Sequence, residues 1–555
     1  MSKATRAKHT LLPCALLMLL AACALCLHFT SPVSAEGDDE AEGDPPEETL
    51  GERLFLETRF SQFFFLNCYG DVNRVLLIGD PVLNTSETTD EPLPGPFKGQ
   101  GMNCRACHLV DEQRDTPGGG MRTYCDFAQR SPIPLRADGK TMTPRNSPPL
   151  VNASLDRASG LNFHFDGQFA TLEDLCRATL TGRNYGWLAS EQALAIKHIA
   201  RVIRLDNGHS ALARSSAAMS YATLFKGTDY RIPKEFRIDV TKATDNQIVN
   251  AVSALIAAYV RGLEFSKDAQ GNYNATPYDL FLAKNKLPRQ PNKGESDKDY
   301  GQRLLKLAEN LASPQFVTPA DGTFALHQQD FAFGADELEG LKTFLREPET
   351  AGSNAAGNCI ACHAPPNFTD FSFHNTGVSQ EEYDSVHGAG KFKLLAIPTY
   401  TQRVKTRAYS LPATAVVPKG LGTYLAIPNS GNVNNVDLGL WNVFLNAEIP
   451  KPQGQIALLL QKQFPGKRNL DQWLSLTVAL FKTPGLRDLG HSGPYFHSGR
   501  FTTLTSVIDF YRTTSAQALS GDIRNADAQV QRIQIETGDT DKLVKFLMAL
   551  NEDYQ

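Results

Sequence analysis

Apolar positions recur every three to four residues in most patterned stretches of this chain, and few segments alternate as strands do. The run Leu50-Gly51-Glu52-Arg53-Leu54-Phe55 through Phe60 predicts an amphipathic helix over 49–60. The same period predicts helices over 170–180, 190–204 and 245–263, near 277–284 and 299–312, and over 334–346, 454–464, 470–481, 504–511 and 540–550. Stretches rich in Pro, Gly and Thr at 78–100 and 116–149 read as loops, as do 350–358 and 364–430. The fold class expected is mainly α, with long loops.

The first residues follow a different pattern. A basic start, an apolar run from Leu11 to Leu27 and the end Val33-Ser34-Ala35 predict a signal peptide over 1–35 and an exported, periplasmic protein. Two alternatives stay open. The run is at the short limit for a membrane anchor, and Leu20-Ala21-Ala22-Cys23 is similar to a lipoprotein processing site that would leave a lipid anchor on Cys23. Residues 36–48 are acidic, with Gly and Pro, and read as a disordered linker. No later segment has the ~18 consecutive apolar residues that span a bilayer.

Composition narrows the class only a little. The 555 residues leave room for several domains, and 41% hydrophobic with 21% charged residues is ordinary for a globular chain. Loss of Lys3, Arg6 and Lys8 with the leader would take the net charge from −5 to −8. That balance disfavours nucleic acid as a partner.

The chemistry lies in one pattern that occurs twice, Cys104-Arg105-Ala106-Cys107-His108 and Cys359-Ile360-Ala361-Cys362-His363. Two cysteines at this spacing sit one helical turn apart, so each can form a thioether to a haem vinyl group. The histidine that follows becomes the proximal iron ligand. Two covalently bound c-type haems are expected. Of the cysteines beyond the leader, Cys68, Cys125 and Cys176 are left over, either as one disulfide and one thiol or as three core thiols. A second repeat supports duplication: Phe165-Asp166-Gly167-Gln168-Phe169-Ala170-Thr171-Leu172 matches His497-Ser498-Gly499-Arg500-Phe501-Thr502-Thr503-Leu504, each copy starting a helix. The expected organisation is two cytochrome c-type haem domains, 49–265 and 331–555, joined by a helical connector over 266–330.

Several further stretches agree with these in order: Arg145-Asn146-Ser147-Pro148, Phe165-Asp166-Gly167, Phe368-Thr369-Asp370 with Phe373-His374-Asn375, and Phe481-Lys482-Thr483-Pro484-Gly485-Leu486-Arg487 through Pro494-Tyr495-Phe496-His497. With the first helix and both haem motifs, they make the chain resemble the dihaem cytochrome c peroxidase superfamily, in particular its MauG-like branch. The resemblance implies two α-helical haem domains with one calcium ion between them. The N-terminal domain is the peroxidatic one and the C-terminal domain the electron relay. It places calcium ligands at Asn146, Ser492 and Pro494. It also places the sixth ligand of the second haem at Tyr511, 14 residues past His497, where peroxidases carry Met. A phenolate oxygen favours ferric and higher oxidation states.

The sequence also departs from the family. Phe165 stands where peroxidases have Trp between the haems. The distal Gln and Glu fall on Leu175 and Asn184, which leaves His164, Asp174 and Glu173 as candidate catalytic groups. No histidine lies between His108 and His164, so the first haem lacks the family's switchable distal ligand. Met121, Met142 and Tyr124 are alternatives to an open five-coordinate iron. The expected function is an exported dihaem oxidoreductase that uses hydrogen peroxide or oxygen at the His108 haem. It relays electrons through the His363/Tyr511 haem from a small redox protein, a cytochrome c or cupredoxin, or from a protein substrate that it modifies. The alternative is a dihaem electron carrier or redox sensor without peroxidase turnover.

Overall fold

The first helix starts earlier and ends earlier than its apolar period predicts. In the computed structural model, α1 spans Pro46–Phe55, so the last residues of the stretch read as a linker are helical. Pro46 sits at the first helical position, where its missing N–H costs nothing, and Glu47 and Glu48 face the positive end of the helix dipole. The helix stops at Phe55 because the next residues turn inward as a charge cluster. Arg59 pairs with Glu57 at 2.7 Å and with Asp206 at 3.0 Å, and Arg53 reaches Asp206 at 3.2 Å. Burial alone would raise the Glu57 carboxyl, but Arg59 more than offsets it and holds it below its usual range.

The structure describes residues 45–74, 145–406 and 433–553, with short gaps at 156, 158–159, 211, 214–217, 229–230, 325–326 and 352–353, together with positions 103–104, 108–109, 122–123 and 424. The leader and its Cys23, Cys107, Cys125, Met121, Tyr124 and Met142, and the loop at 78–100 lie outside those residues.

Most helices fall where the apolar period places them: α2 (Leu172–Leu180), α3 (Gln192–Leu205), α4 (Asp245–Gly262), α5 (Pro277–Lys284), α6 (Asp297–Glu309) and α7 (Ala335–Leu345). The stretch 364–430 is not all loop, since α8 (Val378–His387) and the short helices Lys391–Leu394 and Tyr400–Thr406 lie in it. The chain continues with α9 (Gln453–Gln463), α10 (Leu470–Leu476), α11 (Leu504–Leu519) and α12 (Thr540–Met548). Helix α10 ends before 481 because Ala479 takes a left-handed φ of 61° and the chain then pairs as a strand. Helix α11 runs well past 511, because Thr514, Ser515 and Ala518 are buried there without extending the apolar period. Helix α8 was hidden for the same reason: its buried face includes Ser379, Gln380 and Glu382. Strands are two residues long, β1 (His108–Leu109) with β2 (Arg122–Thr123) and β3 (Phe373–His374) with β4 (Phe481–Lys482), both pairs antiparallel. Among the described residues no helix is long and apolar enough to cross a membrane.

Residues 45–555 form one compact unit with two large apolar cores. One gathers side chains from Leu50 to Tyr273, the other from Tyr278 to Leu550. Each is built on a close helix crossing at a glycine. A Cβ on Gly51 of α1 would collide with the Leu255 carbonyl of α4, and a Cβ on Gly340 of α7 with the Lys542 carbonyl of α12. The sequence repeat is matched in geometry. Phe163 and Phe169 form an antiparallel bridge, as do Tyr495 and Phe501. His164 and Phe496 both have φ of 65°, and Gly167 and Gly499 have φ of 70° and 67°. Thr171 then caps α2 by accepting from the Asp174 amide at 3.2 Å, and Thr503 caps α11 by accepting from Ser506 at 3.2 Å.

Candidate functional site

His363 is held by a tight turn. Asn358, in a left-handed conformation at φ 51°, leads into a single 3₁₀ turn, Cys359–Ala361. The amides of Cys362 and His363 bond the Cys359 carbonyl at 3.2 and 2.7 Å. This brings Cys359, Cys362 and His363 onto one cavity. His363 donates from Nδ1 to the Phe368 carbonyl at 2.8 Å, which leaves Nε2 as the lone-pair nitrogen. Burial lowers its pKa, so the ring is neutral. Both thiols are free, and burial pushes Cys359 up to about 12.

Tyr511 lines the same cavity. Its hydroxyl has no hydrogen-bond partner among the described residues, and burial raises its pKa. His497 also faces this space, stacked on Phe481 at 3.6 Å, and its buried Nε2 has no partner. Sequence reasoning used His497 only to place Tyr511; its spacing carried no sign of an orphaned nitrogen. The rest of the lining is largely apolar, with Phe344, Leu486, Leu504, Ile508 and Leu547. The cavity has about 1540 Å³ of non-atom space, part of it open to solvent. Two free cysteines, a neutral histidine and an unpartnered phenol around a large apolar space fit a covalently held haem.

His108 lines a second cavity, with about 1180 Å³ of non-atom space, part of it open to solvent. Burial pushes it down to about 4. Its Nδ1 has no hydrogen bond of ordinary geometry, although the Pro148 carbonyl is near enough to raise its pKa. Pro484 stands in the same relation to His363. Cys104 is half-buried, 3.4 Å from the Tyr185 hydroxyl, so the described half of this motif fits the same group.

Of the candidate acid–base groups, only His164 lines this cavity. Its left-handed backbone holds the ring edge-on to Phe169 at 5.0 Å. Nδ1 is 3.4 Å from Gln168 Oε1, and burial pushes the ring down to about 4. Asp174 is on the outer face of α2, paired with Lys451 at 2.6 Å, and Glu173 pairs with Arg261. Leu175 lines the cavity and Asn184 does not. Cys68 and Cys176 are both free, so neither is in a disulfide.

The two cavities share a wall made of Pro149, Phe165, Lys482, Thr483, Pro484, Gly485 and Ser492. Phe165 is fixed there by the bond from the Lys482 amide to its carbonyl at 2.7 Å. Behind it, Arg145 grips Asp166 at 2.5 Å and Asp437 at 2.6 and 2.8 Å. Asn146 lies against the Pro494 carbonyl at 2.5 Å and the Phe496 carbonyl at 3.1 Å, with Ser492 on the same rim. Among the described residues no three His, Cys, Asp or Glu side chains gather as a metal site.

No family model matches the chain. Over 195 residues it is 25% identical to the cytochrome-c peroxidase IdrP2 of Denitromonas iodatirespirans. The chain resembles the dihaem cytochrome c peroxidases. The match covers 35% of this chain and 36% of that protein, so it spans about a third of its curated relative. Among solved structures, the diheme peroxidase BthA of Burkholderia thailandensis E264 superposes over 92% of this chain and 87% of its own, at 16% identity and a TM-score of 0.44. A MauG-like protein associated with microbial copper homeostasis covers 94% of this chain and 91% of its own, at 16% identity and a TM-score of 0.38.

Proposed function

We propose that this chain is an exported dihaem c-type oxidoreductase of the peroxidase type, in the MauG-like branch, with hydrogen peroxide or oxygen used at the first cavity and electrons relayed through the second. One observation carries the reading. The histidines of two C-x-x-C-H motifs open onto two cavities divided by a single wall in which Phe165 stands. The matched glycine crossings and matched helix-start loops support two duplicated haem domains. A c-type haem supplies one-electron chemistry at its iron and, at an open position, binding of peroxide.

The chain's own residues do the rest. His363 is kept neutral by burial and oriented by the Phe368 carbonyl, and Tyr511 would offer the second cavity its phenolic oxygen as an iron ligand. In the first cavity His164 is the candidate acid–base group on the lining, and burial keeps its ring neutral. Asn146, Ser492 and Pro494 would hold calcium with neutral oxygens, once the Asn146 amide turns its oxygen toward the Pro494 carbonyl. The donor is a small redox protein, a cytochrome c or cupredoxin, or a protein substrate. Export would use the leader at 1–35, or a lipid anchor on Cys23. Electron transfer or redox sensing without turnover is favoured by one finding: Glu173 and Asp174 both turn outward into ion pairs, so neither lies in the first cavity.

The test is spectroscopic. The mature protein should exceed its polypeptide mass by two haems. Tyr511→Phe should replace a low-spin ferric signal with a high-spin one, and peroxide should oxidise a reduced cytochrome c catalytically. Two haems with an unchanged spectrum in Tyr511→Phe and no peroxide turnover would leave the electron-transfer reading in place.

A further inference from the structure

Two half-buried cations, Lys482 in the dividing wall and Arg157 beside it, have no anionic partner among the described residues. Lys482 lines both cavities and spends one N–H on the Asn162 carbonyl at 2.7 Å. An ammonium has three donors, so two remain. Asp166, the carboxylate acting on it, is taken by Arg145 at 2.5 Å. Arg157 lines the first cavity, with its guanidinium over Phe371 at 4.0 Å. One of its nitrogens reaches the Ala153 carbonyl at 3.2 Å, and its buried Nε has no partner. A buried cation left unpaired costs several kcal/mol in general, so a pair of them beside one cavity marks a place for anions.

We propose that Lys482, in the shared wall, and Arg157, beside it on the first cavity, form a carboxylate cradle occupied by haem propionates. Arg157 holds a propionate in the first cavity, and Lys482 bridges one from each cavity. The planar fork of Arg157 suits a carboxylate, and the three donors of Lys482 suit two at once. The cradle explains why both cations stand unpaired in protein alone. It also gives the two haems one shared charge. Burial and the Arg157 charge push the free Lys482 amine down to about 7, and a bound carboxylate would restore its charge. The same chemistry admits a second source, a free small carboxylate entering the first cavity.

The inference rests on the two-haem reading, and the experiment separates the two. Wild-type, Lys482→Gln, Lys482→Arg and Arg157→Gln proteins are purified with their haems, weighed by mass spectrometry and titrated for both midpoint potentials. Loss of Lys482 leaves propionate charge uncompensated, which favours ferric iron, so both midpoints should fall in Lys482→Gln and return in Lys482→Arg. In Arg157→Gln only the first-cavity midpoint should fall. Two haems by mass with neither or only one midpoint moved in Lys482→Gln overturn the cradle and leave the two-haem reading standing. A single haem by mass overturns both. Acetate at constant ionic strength should leave the wild-type ferric spectrum unchanged. A saturable acetate change that is absent in Lys482→Gln would assign the site to a free carboxylate and overturn the propionate assignment.

Discussion

A carboxyl sealed in protein without a hydrogen bond gives up its proton late, and Glu382 is such a group. It is 3% exposed on α8, and neither of its oxygens has a partner of ordinary geometry. Burial pushes it up to about 8 from 4.5, against the pull of the nearby Ser498 hydroxyl. Its folded pKa is raised, so its contribution is full below the unfolded value and is lost as pH rises toward 8. At about 1.4 kcal/mol per unit, the loss across that window is on the order of 4 kcal/mol. Denaturant midpoints should therefore fall from pH 5 to pH 8 in the wild type and fall less in Glu382→Gln. Parallel slopes for the two proteins would show that Glu382 is already ionised in the fold. Residues like this were not legible in the sequence. Glu382, Lys482, Arg157 and His497 matter because of what surrounds them in space, and nothing in their local spacing reports that. The haem motifs were legible because Cys359, Cys362 and His363, which would hold one haem together, are neighbours in sequence.

The helices divide on similar lines. Helices whose buried face is apolar, such as α4 and α7, could be placed from their period alone. Helix α8 and the second half of α11 bury Ser, Thr, Gln and Glu, so their apolar pattern predicts a loop and a shorter helix. Gly51 was legible only as part of a patterned run; that it lets α1 touch the α4 backbone became visible only in the fold. The two crossings make a paired prediction. Gly51→Ala and Gly340→Ala each push a methyl into a carbonyl on the partner helix, which in packed interiors costs about 1–3 kcal/mol. Gly271→Ala is the control. Its φ of 78° strains any side chain, but a methyl there meets nothing within 4 Å. Thermal unfolding should show both crossing variants less stable than the control. A crossing variant that matches the control would mean that its helices part at no more cost than the backbone strain at Gly271.

At the scale of the whole molecule, the wall between the cavities is only as firm as the charge network behind it. Arg145, from the segment after the first haem motif, ties Asp166, next to Phe165, to Asp437 in the second half of the chain. All three are buried, with Asp166 at 0% and Asp437 at 1% exposure. Burial would raise the Asp437 carboxyl, but Arg145 more than offsets it and holds it below its usual range. The folded pKa of Asp437 is therefore depressed, and its contribution is present above the unfolded value and lost as pH falls. Arg145→Gln removes the cation that grips both carboxylates and leaves only the unbonded charges of Arg183 and Lys482 to offset them, a change that costs about 3–5 kcal/mol in comparable sites. The sign of the pH dependence then reverses: without Arg145 the buried carboxylates favour the protonated form, so acid relieves the damage. The stability gap between wild type and Arg145→Gln should be widest near pH 7 and narrow toward pH 4. Arg145→Lys should recover only part of it, because an ammonium cannot grip Asp437 with two parallel bonds while also holding Asp166. A gap that stays constant with pH would place the loss in packing rather than charge, and Phe165 would then owe its position to the Lys482 backbone bond alone.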